Sequence, residues 1–164
     1  MRQRGQVMGY LVLVVPVMLL FVGVAIDAGL FFSSQDHLDQ ATEAAALAGA
    51  VQISPSAYYD TGQVQLPAPG PSDPVSTAIG DALAAQFPMP YTLVQCSGSP
   101  AVAFTGCSEP TGPNQVDYFV VQTPSQVTLY VWVGITNPFG GLLGSRLEVL
   151  HSVQSGTPEA APRA

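Results

Sequence analysis

The sequence predicts an α+β protein: a long N-terminal transmembrane helix continuing into an extracytoplasmic head with a small antiparallel β-sheet. Three observations predict it. Residues 7–26 hold no charged side chain, residues 27–51 keep a helical pattern rich in alanine, and from residue 91 onward the chain turns to short Val-, Tyr-, Phe- and Thr-rich segments bounded by Gly, Pro or Asn.

The uncharged run comes first. About 20 residues of α-helix cross a hydrocarbon core of about 30 Å. About a dozen Val, Leu, Ile and Phe side chains, at roughly −0.3 to −0.6 kcal/mol each near mid-span, outweigh Gly9, Pro16 and Gly23. Pro16 costs one backbone donor, which membrane helices accommodate. Arg2 and Arg4 precede the run and the next basic residue is Arg146. The positive-inside bias therefore keeps the N-terminus in the cytoplasm and sends the rest outside. Ala48-Gly49-Ala50 resembles a signal-peptidase site, but it lies more than 20 residues past the apolar run, and that run exceeds an h-region of about 7–15 residues. A retained anchor is the expectation.

The chain then divides into a cytoplasmic start (1–6), a transmembrane helix (7–28), its extracytoplasmic continuation (29–53), a connector (54–73), a small α+β head (74–153) and a flexible tail (154–164). What remains outside the membrane suits one small domain. Lysine is absent, charged residues make up 9 % and the net charge is −7. Nucleic acid is excluded as a partner, since phosphate binding needs clustered Lys or Arg. The bilayer is the first partner expected.

On the outer half of the helix, Asp36, Asp39, Gln40 and Glu43 follow i, i+3, i+4, i+7 spacing and make a polar stripe. Leu38, Ala41, Ala45 and Ala48, with Leu47 and Val51, make an apolar side expected to lie on the sheet, with assembly against neighbouring helices as the alternative. Asp27 ends the uncharged run. It is expected to reach the outer headgroups and stay hydrated, the alternative being a polar contact to another subunit. Residues 54–73, rich in Pro, Gly, Ser and Asp, read as turns. A second helix follows, with Asp73 as N-cap and Pro74 at the first helical position.

Residues 91–94, 101–105, 116–123, 127–133 and 146–153 read as strands. In QVTLYVWVG, Val127, Leu129, Val131 and Val133 alternate with Thr128, Tyr130 and Trp132, so the aliphatic set faces the long helix and Tyr130 and Trp132 the other side. Only Pro124 and Ser125 separate this strand from VDYFVVQT, which predicts a tight antiparallel hairpin. NPFGGLLG at 137–144 lacks the spacing of a phosphate loop. It reads as a strand connection, or as a loop offering Phe139 to a partner or the membrane.

No catalytic constellation emerges. Cys96 and Cys107 suit a disulfide closing a small loop in an oxidising compartment, and without nearby histidines they make a poor zinc site. His37 and His151 stand in no metal or catalytic spacing, and the carboxylates are dispersed. The expectation is no enzyme, no cofactor and no metal.

Two stretches carry a resemblance. RGQVMGYLVLVVPVMLLFVGVAIDAGLFFSSQDHLDQATEAAALAGA resembles the N-terminal region of TadE-like and TadG-like proteins of the tight-adherence (Flp) pilus system. There an Arg-Gly start precedes an apolar span, an Asp-x-Gly closes it, and the helix ends in an alanine-rich pattern. The matching positions are Arg4 and Gly5, then Asp27 and Gly29. The helix pattern runs from Leu38 through Gln40, Ala41, Glu43, Ala44, Ala45, Ala46, Leu47, Ala48 and Gly49 to Ala50. VTLYVWVGITNPFGGLLGSRLEVLHSV also looks like the strand, glycine loop and strand that closes many such proteins. Departures are Asp39-Gln40 where the family has Gln-Asn, and the lack of a glutamate five residues after Gly5 or Gly9, so prepilin-type processing is not implied. The von Willebrand type A domain of larger relatives, with its metal motif, is missing too. The resemblance implies a pilin-like head on a single-pass anchor in a bacterial cytoplasmic membrane. It also implies contacts with other pilus-assembly or secretion subunits, self-assembly included; Asp27, Ala45, Tyr130, Trp132 and Phe139 are the candidate contact residues.

Overall fold

The computed structural model describes residues 3–69, 73–96, 110–136 and 147–158. One helix, α1 (Gln3–Ala50), runs unbroken through Pro16 for 48 residues, about 70 Å at 1.5 Å per residue. Its large apolar side chains are exposed from Tyr10 to Phe32. From Leu38 onward one face is covered: Leu38, Ala41, Ala45, Ala46 and Ala50 are buried. Among the described residues α1 is the helix long and apolar enough to cross a membrane, and only 6 % of its most apolar window is buried. That burial is too low for a core helix.

The connector differs from its expected form. Residues 54–73 read as turns in the sequence, but Pro is well placed in a helix's first turn, and Ser54-Pro55 starts α2 (Pro55–Thr61). The Ser54 side chain caps it by accepting from the Ala57 N–H. Gly62, at φ 68°, closes it in the left-handed region that glycine tolerates. The second expected helix is α3 (Pro74–Gln86), with Asp73 Oδ1 accepting from Val75 N–H at 3.1 Å. Val75, Ile79 and Leu83 are its buried face, and Val75 and Ile79 pack where Gly49 of α1 offers no side chain.

Four strands form one sheet in the order β1 (Thr92–Gln95), β2 (Gln115–Thr123), β3 (Gln126–Thr136), β4 (Leu147–Gly156). The β2–β3 hairpin turns at Pro124 and Ser125, with Thr123 opposite Gln126, and β4 pairs antiparallel with β3. The sheet is mixed rather than wholly antiparallel, because β1 runs parallel to β2. A parallel pair needs a connection of a dozen residues or more, and residues 96–114 supply it. β4 extends through Gly156, past the expected start of the tail, because Val127 pairs opposite that glycine and Gly156 fits against Ala46 and Ala50.

The period-2 reading of β3 holds: Val127, Leu129, Val131 and Val133 are buried with Leu38, Ala41 and Ala45 of α1 and with α3. Val116 and Tyr118 of β2 and Leu150 of β4 complete this core. The strand expected at 101–105, the loop at 137–144 with Phe139, and Cys107 lie outside the described residues.

Candidate functional site

β4 climbs beside α1 in the same direction. Gln35 Nε2 donates to His151 O at 3.1 Å, Ser152 Oγ donates to Asp39 Oδ1 at 2.5 Å, and Gly156 meets Ala46 and Ala50. Counting down from the Ser152–Asp39 contact at about 3.3 Å per strand residue and 1.5 Å per helix residue, the foot of β4 falls about level with residue 28.

Asp27 lies on the head-facing stripe, in 3.6-residue register with Ser34, Leu38, Ala41 and Ala45. It is 8 % exposed, between the exposed Ile26 and Leu30, and neither carboxylate oxygen has a hydrogen-bond partner. The hydrated position expected for it does not hold. Asp27 is instead withdrawn from solvent on the same stripe of α1 that carries the core residues further along.

Residues 5–52 match the Tad family model, TadE/G-like and of Flp pilus assembly. The rod is TadE/G-like. No curated protein and no solved structure matches the chain. The matched family is described as one of Flp pilus assembly, and the stretch similar to it holds the helix long and apolar enough to cross a membrane.

The alanine-rich end of the TadE/G-like rod serves the head first. Ala45 is 0 % exposed, inside the core of its own chain, so it offers no surface to a partner. Small side chains there let α3 and β4 approach the helix backbone closely. The opposite side stays open: Gln40, Glu43 and Ala44 are exposed, Leu47 is 52 % exposed and Val51 68 %. Asp36 is also exposed, while Asp39 is drawn from the polar stripe into the contact with Ser152. Buried Thr42 escaped the sequence reading; its hydroxyl donates to Leu38 O at 2.7 Å, which lets a polar residue sit on the apolar face.

On the far face of the sheet Tyr130 and Trp132 are half-buried and stack, centroids 6.3 Å apart and 13° from parallel, with Phe119 6.3 Å beyond Tyr130. Cys96 follows β1, half-buried, its N–H donating to Tyr118 O at 2.8 Å. His37 and His151 are exposed, and His37 sets its ring edge-on to Phe87 at 5.5 Å. Among the described residues no group of three or more His, Cys, Asp or Glu is placed to hold a metal.

One feature had no sequence signal. A groove of about 260 Å³ opens between α1 and the lower sheet, lined by Ser33, Ser34, His37 and Leu38 of α1, Phe87 and Tyr91 after α3, Val133 and Ile135 of β3, and Leu150 of β4. Four segments far apart in sequence converge there, so no local pattern could announce it.

Proposed function

We propose that the protein is a membrane-anchored, pseudopilin-like accessory subunit of Flp/Tad pilus assembly or of a related secretion apparatus, acting through protein–protein contacts. The observation that carries this reading is the TadE/G-like match on a helix whose first half is left bare by its own head. In this reading the N-terminus is cytoplasmic, the head stands outside, and the open side of the rod around Leu47 and Val51 meets other subunits. Cys96 and Cys107 pair as a disulfide in the oxidising exterior.

Two experiments test it. Gentle detergent extraction should co-purify the protein with other pilus-assembly or secretion subunits; a solitary monomer would overturn the reading. In sealed cells a membrane-impermeant maleimide should label the cysteines only after reduction and unfolding, and failure to label them even then would overturn the orientation. A tethered adhesin is the second reading, favoured by the stacked Tyr130–Trp132 pair. It requires that Trp132→Ala abolish ligand capture while leaving assembly intact.

A further inference from the structure

Helix α3 packs along α1 in the opposite direction. Val75 and Ile79, in its first turns, pack at Gly49, and Phe87, just past its end, sets its ring edge-on to His37 at 5.5 Å. As α3 advances from Val75 to Phe87 it therefore descends α1 from Gly49 to His37, toward the bare apolar part. There the chain reverses in a turn, Pro88-Met89-Pro90, closed by the Tyr91 N–H donating to Pro88 O at 3.2 Å. Phe87 and Tyr91 flank this turn with ring centroids 5.4 Å apart, and both line the groove with Ser33 and Ser34 of α1. Met89 itself is 94 % exposed, more than any other large apolar side chain among the described residues.

We infer that this turn rests on the outer leaflet of the bilayer that holds the anchor, with the Met89 side chain entering the boundary between headgroups and acyl chains. The inference rests on the membrane-anchored reading above. Depth along α1 is the first observation that selects a lipid surface. The large apolar side chains that α1 leaves exposed run from Tyr10 to Phe32, about 33 Å of helix, which matches a hydrocarbon core of about 30 Å. A headgroup layer about 5–7 Å deep then spans Ser33 to His37, the part of α1 that Phe87 and Tyr91 sit beside. A bilayer surrounds the rod on every side, so level alone, and not the face of the helix, brings the turn to it. Charge is the second observation. Residues 82–108 hold no charged side chain, so lowering the turn among headgroups desolvates no ion, and an unbranched thioether with a tyrosine close by suits that layer. Third, the turn is braced from inside the head by Phe87, which is buried, so Met89 stands clear of the core. The turn thereby gives the head a second footing beside its anchor.

The test uses the full chain in purified vesicles of phosphatidylethanolamine and phosphatidylglycerol, produced with photo-methionine, whose diazirine takes the place of the thioether at Met89 and at Met18 within the span. After irradiation and digestion, lipid adducts are expected on the peptides that hold Met18 and Met89. Tyr59 is 85 % exposed beyond the outer end of α1, and in the variant Tyr59→Met no lipid adduct is expected at that position. Adducts at Met18 but none at Met89 overturn the inference and leave the anchor standing. Adducts at position 59 as well as at Met89 overturn it too, because the head would then lie against lipid without regard to the turn. No adduct at Met18 removes the anchor reading and the inference together.

Discussion

Ser152 donates a hydrogen bond to the Asp39 carboxylate at 2.5 Å, joining the middle of the last strand to the outer half of the long helix. The same register sets Gly156 against Ala46 and Ala50 further up the helix. Head and rod are thus one folded unit.

Removing the hydroxyl should loosen that unit. Ser152 is buried, and a hydrogen bond to a carboxylate contributes about 1.5–3 kcal/mol. Ser152→Ala is expected to lose about that much in denaturant melts of the detergent-solubilised protein. Asp39→Asn keeps an acceptor and should lose less. Equal losses would mean that Asp39 acts through its charge and not through this contact.

Close approach makes a second prediction, about glycines. A Cβ on Gly134 would strike the Gly112 carbonyl oxygen, and one on Gly156 would lie 2.7 Å from the Ala46 oxygen and 2.8 Å from the Ala50 Cβ. These obstacles are backbone or short side chain and cannot step aside, so alanine at either site should cost about 1–3 kcal/mol. At Gly49 the obstacles are Cγ1 and Cδ1 of Ile79 at 2.8 Å and Cγ1 of Val75 at 3.2 Å, both fully buried side chains with no room to turn. Gly49→Ala should therefore also destabilise, by about 1–3 kcal/mol, as thermal melts of the three variants can check.

Much of this architecture was legible because its causes are local. Absence of charge from 7 to 26 dictates a helix in lipid, Asp73-Pro74 dictates a helix start, and alternation from Val127 to Val133 dictates a half-buried strand. The parallel pairing of β1, the burial of Asp27 and the groove were not legible. The first and last depend on register between segments that no local pattern links, Thr92 opposite Gln115 for β1 and β2, and α1 against Phe87, β3 and β4 for the groove. The open side at Leu47 was also obscured, since an alanine-rich helix shows too little contrast between its faces for spacing to say which one the head takes.

Tyr118 supplies a pH prediction. Its hydroxyl is held above the ordinary value of 10.0, first by burial and then by the negative charge of Asp81. The folded state thus holds its proton more tightly than the unfolded chain, so this contribution to stability is complete below pH 10 and is lost as pH rises through 10 toward the folded value. Tyr118→Phe should flatten that alkaline limb while giving up only a long 3.5 Å contact with Gln95. Stability measured across the alkaline range would reject the assignment if the limb stayed as steep in the variant.

Asp27 separates stability from assembly. A carboxyl buried with neither oxygen paired is a cost to the isolated chain, of about 1–3 kcal/mol by the scale of buried unpartnered polar groups in proteins. Asp27→Leu removes that cost at similar volume and should raise the stability of the solubilised protein by about that amount, whereas Asp27→Asn, still unpaired, should gain less. If the carboxyl serves a partner subunit, Asp27→Leu will at the same time lose co-purification with the assembly machinery. A more stable protein that no longer assembles would identify Asp27 as a contact residue. A less stable one would mean that the carboxyl already has a partner within the chain and that its cost to the fold is misjudged.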